Sequence, residues 1–253
     1  MRVQSMYISP VKSLGLAPID QAFLDKPGIA GDRAFFIIDA QGAMFTQRVF
    51  GPLVQVRTSY DVESGNLELS FPDGRTVAGV PELGAAIEAS FFGVRDVGGR
   101  VVEGEWSEAL STFAGQALRL IKADAAGTSF DAFPISMCST ASLEALAQAA
   151  ETDSIDGRRF RQNIYLEGAS PHEEDTWLEG EVRVGAALLR VKVRDARCAV
   201  TTLSPDTGET DMNTLKIIAS YRTDQPKQVN FGVYCTVAEP GEVSVGDEVA
   251  LVT

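Results

Sequence analysis

Short apolar runs bounded by turn residues recur along most of this 253-residue chain. Phe35-Phe36-Ile37-Ile38 leads into Asp39-Ala40-Gln41-Gly42 and returns as Met44-Phe45-Thr46, which predicts a hairpin within Gly31–Gln47. Three further strands are predicted before residue 81, at Leu53–Tyr60, Asn66–Phe71 and Thr76–Val80. Short strands with such closely spaced turns favour a β-barrel or a sandwich.

Apolar residues at helical spacing predict four helices, at Leu83–Phe91, Trp106–Gly115, Ala141–Ala150 and Thr214–Arg222. We expect Thr140 to cap the third of them, since a threonine hydroxyl can accept a hydrogen bond from the first helical turn.

Strands return after residue 160, and the tail Glu242–Leu251 is predicted to form a closing hairpin. The clearest of these strands are Asn163–Leu166, Glu181–Val184, Ala187–Val193 and Val229–Val237. The fold class is therefore mostly β with a few helices (α+β). A boundary near residue 120 divides the chain into a β-rich part, 1–120, and a second β-rich part, 121–253, which contains the best helix.

The scarce residue types exclude several kinds of site. The chain has one histidine and three cysteines, so a catalytic histidine cluster and a four-thiolate iron–sulfur cluster are both excluded. A structural zinc site would require all four of these residues to converge, and their spacing contains no CxxC pair. A formal net charge of −13 argues against nucleic-acid binding.

The cellular location is predicted from the lack of a recognisable signal peptide or membrane-spanning segment in the sequence. The amino-terminal segment MRVQSMYISPVKS lacks the apolar stretch of a signal peptide, and no uncharged run is long enough to span a bilayer. Cysteines with no evident pairing suit a reducing compartment. We expect a soluble, cytoplasmic protein that does not associate with membranes.

The first candidate for chemistry is Arg197-Cys198, which follows a predicted strand. Leu189–Arg194 alternates apolar and basic residues, with one apolar face formed by Leu189, Val191 and Val193. The strand ends at Asp195 and delivers the Arg-Cys pair to a loop. A neighbouring guanidinium favours a thiolate, which is a good nucleophile and a good ligand for a soft metal. An ordinary cysteine beside a solvated strand remains the alternative.

A second candidate is the arginine cluster Arg158-Arg159-Phe160-Arg161. In so acidic a chain, three arginines in four residues indicate a bound anion, since the guanidinium fork suits phosphate. Surface ion pairs with Asp153 and Asp156 would explain the cluster equally well. The residues alone leave the two interpretations open.

The remaining candidates are weaker when each is taken singly. Lys12 and Arg33 lie beside turn residues and would ordinarily be surface charges. Cys138 and Cys235 are predicted to be core thiols. His172 and the acidic run Glu173–Asp175 are predicted to lie in a solvated loop.

Taken together, the motifs occur in an order that resembles the MOSC family, named for the C-terminal domain of molybdenum cofactor sulfurases. The first part resembles the β-barrel domain that often precedes a MOSC domain, and the likeness covers nearly the whole chain. The motifs are Tyr7-x-x-Pro10-Val11-Lys12-Ser13, Gly31-Asp32-Arg33, Thr46-Gln47-Arg48, Arg159-Phe160-Arg161-x-Asn163, Glu174-Asp175-x-Trp177, Arg197-Cys198, Pro205-Asp206-Thr207-Gly208 and Phe231-Gly232-x-Tyr234.

The resemblance implies a MOSC-type β-barrel packed with an N-terminal β-barrel-like domain, and a molybdenum–molybdopterin cofactor. By motif, Cys198 would be the protein thiolate on molybdenum. The pterin or its phosphate would be held by Lys12 and Arg33, with further cofactor contacts from Thr140, Ser142, Arg161, Asn163 and Tyr234.

The chain departs from the family pattern at two positions. Gln162 stands where the family often has proline, and Ala196 stands where relatives often have serine or glycine. The first change could alter the backbone near the pterin, because proline fixes φ and glutamine does not. Neither change removes the proposed ligand.

The functional hypothesis that follows is a molybdenum-dependent reductase of N-hydroxylated small molecules, similar to the amidoxime-reducing components. Since no iron–sulfur cluster can form within this chain, electrons would come from a separate protein, ferredoxin- or cytochrome b5-like with its reductase. The acidic surface would suit a basic partner, and Asp32 or Asp206 would deliver protons. The alternatives are a cofactor carrier or sulfur-transfer module without its own turnover, and a β-barrel binding protein whose cysteine is structural.

Overall fold

The computed structural model describes residues 1–223 and 228–252. The fold is mostly β with three α-helices, which confirms the predicted class. The strands are β1 (Arg2–Ile8), β2 (Ala17–Ile19), β3 (Gln21–Asp25), β4 (Gly28–Ile29), β5 (Phe35–Asp39), β6 (Arg57–Tyr60), β7 (Leu67–Ser70), β8 (Thr76–Gly79), β9 (Leu83–Phe91), β10 (Arg95–Val102), β11 (Leu118–Ala123), β12 (Ile135–Ser139), β13 (Ile164–Glu167), β14 (Glu181–Val184), β15 (Ala187–Ala196), β16 (Asn230–Glu239), β17 (Gly241–Ser244) and β18 (Val249–Val252). The α-helices are α1 (Glu105–Ala114), α2 (Thr140–Ala149) and α3 (Thr214–Tyr221), and 3₁₀ helices occupy Gly51–Gln55, Gly157–Phe160, Glu173–Trp177 and Ala199–Thr202.

The larger sheet has eight strands in the order β18-β14-β15-β16-β12-β13-β1-β2. All neighbours are antiparallel except β12 and β13. Its inner face, together with the small sheet β17-β3-β4, encloses a core of fully buried side chains such as Met137, Ile164 and Leu189. The amino-terminal strands β1 to β4 therefore pair with strands from the second half of the chain.

The segment from β5 to β11 forms a second β unit. Its two sheets, β5-β11-β10-β9 and β6-β7-β8, pack with α1 around a separate core that includes Phe35, Leu69, Trp106 and Leu120. By strand pairing, β1 to β4 belong with the second half of the chain, and the segment from β5 to β11 forms a unit of its own. The domain boundary near residue 120 stays a prediction.

The predicted helix at Leu83–Phe91 is wrong, because the segment is the strand β9. β9 pairs along its length with β10, from Phe91 opposite Arg95 to Leu83 opposite Val102. The apolar residues that suggested a helix are spaced by four and eight positions. Even spacings also fall on one face of a strand, so this pattern fits both structures.

Two other local predictions are wrong. Leu53–Gln55 belongs to a 3₁₀ helix with proline in its first turn, and the strand begins at Arg57. The tail does not close on itself as a hairpin, because β17 pairs with β3 while β18 pairs with β14. The two tail strands complete two different sheets, which their own sequence does not reveal.

The other three helices are confirmed, with one change of cap. Trp106–Gly115 is α1, and Gly115 ends it in the left-handed conformation with a φ of 68°. At α2 the cap is Ser139 rather than Thr140: the Ser139 Oγ accepts a hydrogen bond of 3.2 Å from the Ser142 amide. Thr140 is the first helical residue.

Candidate functional site

A cavity of about 540 Å³ opens where the two β units meet. It is lined by Lys12 and Arg33 from the loops that follow β1 and β4, by Gln47 and Phe92 from the second β unit, and from the eight-stranded sheet by Tyr234 of β16 and by residues at the end of β15. Five of the eight predicted site residues line it, namely Lys12, Arg33, Arg161, Cys198 and Tyr234.

Cys198 is an exposed free thiol that follows β15 and lines the cavity. The strand continues to Ala196, and Cys198 directly precedes the 3₁₀ helix Ala199–Thr202. The other thiols, Cys138 and Cys235, are fully buried, and burial raises the pKa of each, which confirms that they are core residues. Among the described cysteines, only Cys198 faces the cavity.

The strand β15 does not alternate as the sequence predicts. Val193, which the sequence places on the buried face with Leu189 and Val191, is 41 % exposed, and the pairing of β15 with β16 is irregular on both sides of it. A bulge changes the face on which a side chain lies. Asp195, two positions further on, is buried again and lines the cavity.

The guanidinium of Arg197 forms its hydrogen bonds with groups of the protein itself. Its guanidinium donates to the Asp195 carboxylate and to the carbonyl oxygen of Phe160. Burial raises the pKa of Asp195, against the opposing effect of Arg197 and of a hydrogen bond of 3.1 Å from the Gln162 amide. The positive charge beside Cys198 is thus largely balanced by Asp195.

Lys12 and Arg33 are held in place by backbone hydrogen bonds that join their loops to each other and to β5. The Lys12 amide donates to the Phe35 carbonyl over 2.8 Å, and the Arg33 amide donates to the Ser9 carbonyl over 2.8 Å. The Lys12 Nζ lies 2.9 Å from Asp131, whose side chain is 55 % exposed. Burial lowers the pKa of Lys12, although Asp131 opposes this effect.

The three clustered arginines have different environments. Arg158 pairs with Asp156, as the ion-pair interpretation predicts, and also with Asp206. Arg159 is buried and pairs instead with Asp211, a partner that the sequence did not indicate. Asp153 takes no part in the pairs that the structure records.

Arg161 differs, because its hydrogen bonds go to the neutral Ser9 hydroxyl at 2.7 Å and the Leu14 carbonyl at 2.9 Å. Burial and the nearby Arg33 lower the pKa of Arg161 to about 10. Its positive charge is therefore held in the cavity wall without a directly bonded carboxylate. Such a group is stabilised by an incoming anion.

Backbone strain is concentrated around the cavity. Among the residues that the structure describes, seven other than glycine have a positive φ, and four of these line the cavity. The four are Ser13, Arg33, Phe92 and Arg161. Residues held in the left-handed region cost free energy and persist where function demands the position.

Charge and one unpartnered amide complete the lining. Six basic and two acidic side chains border the cavity of a protein whose net charge is −13. Gln47 is 5 % exposed, and its Oε1 atom has no hydrogen-bond partner among the described residues. A buried polar atom without a partner is costly, so a ligand donor that reaches Gln47 Oε1 from the cavity would be favoured.

Thr140, Ser142 and Asn163 do not line the cavity, contrary to the expectation from motif order. Ser142 and Ser139 instead bind the buried carboxylate of Glu174, with the Ser142 hydroxyl donating over 2.9 Å. We call Ser139, Ser142 and Glu174 the serine–glutamate network. It is enclosed, and burial raises the pKa of Glu174.

Asn163 acts one layer behind the cavity wall. Its Nδ2 donates to the Asp32 carboxylate over 3.0 Å, and its Oδ1 accepts from Ser136, which does line the cavity. Asp32 is buried by Asn163, Ser9 and Arg33, so it does not face the cavity as a proton donor. Asp206 lines a neighbouring cavity instead.

The prediction of a solvated loop after β13 is also wrong. Glu174 and Asp175 are buried rather than solvated, and the His172 ring packs against Tyr221 and Phe231 with its Nε2 3.0 Å from the Tyr221 hydroxyl. The acidic run was predicted to be solvated because the sequence does not show the partners of its carboxylates. In the structure a serine hydroxyl binds Glu174 and Arg222 binds Asp175.

Several lining residues were missed by sequence reasoning. They are Arg48, Phe91, Phe92, Arg95, Asp131 and Asp195. The motif Thr46-Gln47-Arg48 pointed to the right loop but assigned it no role. Phe92-Gly93 carried a signal of its own, since a bulky aromatic residue is unusual at a tight turn.

No group of three His, Cys, Asp or Glu side chains that could hold a metal occurs in the described parts of the chain. Of these residue types, Cys198 is the soft donor that the cavity offers. Within residues 1–223 and 228–252, no helix is both long and apolar enough to cross a membrane.

Comparison with known families agrees with this architecture. Residues 124–250 match the MOSC domain, and residues 1–99 match the MOSC N-terminal beta barrel domain. The chain belongs to the MOSC family.

Among individual proteins, the chain is 29% identical to mitochondrial amidoxime reducing component 2 of Bos taurus, over 98% of this chain and 82% of that protein. It is 27% identical to mitochondrial amidoxime-reducing component 1 of Homo sapiens, with the same coverage of both chains. The YUAD protein from Bacillus subtilis aligns in structure with a TM-score of 0.46 at 17% identity, over 98% of this chain and 93% of that one.

Proposed function

We propose that this protein is a molybdenum-cofactor-dependent reductase of N-hydroxylated small molecules. The observation that carries the proposal is the convergence, in one cavity, of an exposed free thiol with basic side chains from distant parts of the chain. The similarity to amidoxime-reducing components over nearly the whole chain supports the type of reaction.

The residues present fit a pterin-bound molybdenum. Cys198 supplies a soft sulfur for a thiophilic metal. Lys12, Arg33 and Arg161 supply hydrogen-bond donors and charge for a phosphate, and the unpartnered Gln47 Oε1 can accept from a ring N–H or an amino group. When bound, the cofactor supplies the two-electron chemistry that removes oxygen from an N–O group.

The protein's own contribution is binding, orientation and proton supply. Arg161 and Arg33 would fix the anionic end of the cofactor, and Cys198 would fix the metal end. Lys12 is the candidate proton donor, because it lines the cavity and burial lowers its pKa, so that its ammonium gives up a proton more readily than a free lysine does. It replaces Asp32 and Asp206 in this role.

Electrons would arrive from a separate carrier protein, ferredoxin- or cytochrome b5-like with its reductase. The three described cysteines are one too few for an internal four-thiolate cluster, and two of them are buried in the core. We further propose that the protein acts in the cytoplasm, although the relatives are mitochondrial.

The test is reduction of an amidoxime by the protein purified with its cofactor. Reduced methyl viologen is supplied first, and then a ferredoxin or a cytochrome b5 with its reductase. The matched control is the same chain expressed in a host that cannot make the pterin. We expect amidine formation only with the cofactor-loaded protein and only with a donor.

A protein that binds molybdenum and pterin but forms no amidine with any donor would contradict the proposal. Mass spectrometry that then finds a labile sulfur on Cys198 would support the alternative, a carrier or sulfur-transfer module.

A further inference from the structure

The tip of the β9–β10 hairpin forms an apolar, aromatic wall of the cavity. Phe91, Phe92 and Val94 line the same cavity as Cys198. Phe91 is buried, whereas Phe92 is 43 % exposed and Val94 is 84 % exposed. The cavity is therefore basic within and apolar at this part of its rim.

The backbone of this tip is unfavourable for the residue it carries. The Val94 amide donates to the Phe91 carbonyl over 3.1 Å, which closes a turn whose central residues are Phe92 and Gly93. Their φ angles are 55° and 69°. Positive φ at both positions is typical of type I′ turns, which favour Asn-Gly. A phenylalanine in the left-handed region costs conformational free energy that asparagine or glycine would avoid.

Contacts with neighbouring side chains position the rings of Phe91 and Phe92, but they leave the Phe92 ring partly exposed. The rings of Phe91 and Phe92 meet edge to face, with centroids 4.7 Å apart. Arg95 lies 4.5 Å and Lys12 5.0 Å from the Phe91 centroid, while Arg48 lies 5.7 Å from that of Phe92. Phe91 is enclosed by these cations, whereas nearly half of Phe92 stays open to the cavity mouth.

We propose that Phe92 is a specificity-determining residue that binds the flat apolar body of the substrate. The inference rests on the proposed function and adds a substrate class to it: N-hydroxylated compounds that carry an aromatic or planar apolar group. A strained turn that presents an exposed aromatic ring to the cavity is explained if the ring contacts a ligand, since aromatic rings stack favourably on planar groups.

The test compares Phe92→Asn with the wild-type protein, using two ligands that share a head group. Benzamidoxime has a ring and acetamidoxime has none. Affinities are measured by calorimetry on the oxidised, cofactor-loaded protein without an electron donor, so that no turnover occurs. Phe23→Ala is the matched control, because Phe23 is 53 % exposed on β3 and does not line the cavity.

We expect Phe92→Asn to weaken benzamidoxime binding about tenfold and to change acetamidoxime binding less than about twofold. The melting temperature should rise by about 2–4 °C, because asparagine relieves the strained turn. Phe23→Ala should leave both affinities unchanged.

Four results would overturn the inference. They are a lack of benzamidoxime binding to the wild-type protein, an unchanged benzamidoxime affinity in Phe92→Asn, a loss of bound pterin from this variant, and a lowered melting temperature. An unchanged affinity together with a raised KM for the electron donor would assign Phe92 to donor docking. Failure of the proposed function appears separately, as no reduction of either amidoxime by a cofactor-loaded protein that still binds them.

Discussion

Two polar regions of this protein look alike in sequence and differ in structure. The cavity at the junction of the β units has basic side chains, an exposed thiol and an unpartnered amide oxygen. The serine–glutamate network, beneath the start of α2, is closed, and its hydroxyls are bonded to one another and to Glu174. Motif order assigned residues from both regions to one cofactor site.

The difference shows how a polar residue that serves a ligand can be distinguished from one that serves the fold. In the network, each serine hydroxyl has a partner within the protein, and although Glu174 Oε2 has none among the described residues, the network does not open onto the cavity. In the cavity, Arg161 has only neutral partners and Gln47 Oε1 has none among the described residues. We therefore expect ligand-dependent properties to follow the cavity, and stability to follow the network.

The largest expected effect is the loss of cofactor from Arg161→Met. Removing a charged donor from the phosphate would weaken cofactor retention by about tenfold to a hundredfold. Pterin content after gel filtration measures it. The control is Arg158→Met, which breaks only exposed ion pairs and should retain the cofactor. Equal retention by the two variants would remove the distinction between these arginines.

The next effect tests how the Cys198-bearing segment is tied to the second β unit. A Cβ on Gly208 would lie 2.1 Å from the backbone of Gly51. Gly208→Ala should therefore lower the free energy of unfolding by about 2–4 kcal/mol and reduce cofactor retention. Gly42→Ala also has a positive φ, but nothing lies near its Cβ, so it should cost only about 1 kcal/mol. Chemical denaturation compares them, and similar costs would argue against a tight contact.

We expect a substitution in the serine–glutamate network to change how the stability of the protein depends on pH rather than how well the protein retains the cofactor. Because burial raises the pKa of Glu174, the folded protein binds this proton more tightly than the unfolded chain does. That contribution to stability is complete below the unfolded pKa of about 4.5 and is lost as the pH rises through the folded pKa.

Glu174→Gln removes this titration, so the variant should gain stability relative to the wild-type protein as the pH rises from 5 to 8. Asp195, whose pKa burial also raises, is present in both proteins and cancels. Melting temperatures across this range measure the difference. A difference that does not depend on pH would show that Glu174 stays ionised in the fold.

The smallest effects separate the true helix cap from the predicted one. Ser139→Ala should cost about 1 kcal/mol, because the Ser142 amide loses its acceptor. Thr140→Ala should change the free energy of unfolding by less than about 0.5 kcal/mol, and it should retain the cofactor because Thr140 does not line the cavity. Loss of pterin from Thr140→Ala would restore the original assignment of this residue.

Sequence predicted the elements best where local chemistry is decisive. The helix α1 ends at a glycine in the left-handed conformation, as its spacing indicated. The strand β9 and the tail strands were misassigned, because an even spacing fits both periodicities and because strand partners are chosen by the whole fold.

The same limit applies to the cavity. Lys12, Arg33 and Arg161 could be grouped through the order of motifs, but Asp195 could not, since it belongs to none of the motifs and only the packing of β15 in the whole fold places it at the cavity. Phe92 was overlooked because a helix was predicted over Leu83–Phe91, so no hairpin turn was expected at Phe92-Gly93.

The most direct test of the central claim is the molybdenum content of Cys198→Ala. The control is Cys235→Ala, which removes a thiol buried in the core and leaves the cavity unchanged. Elemental analysis of the purified proteins should find molybdenum in the wild-type chain and in the control, and less than about a tenth of that amount in Cys198→Ala. A Cys198→Ala protein with the wild-type molybdenum content and normal amidoxime reduction would contradict the account.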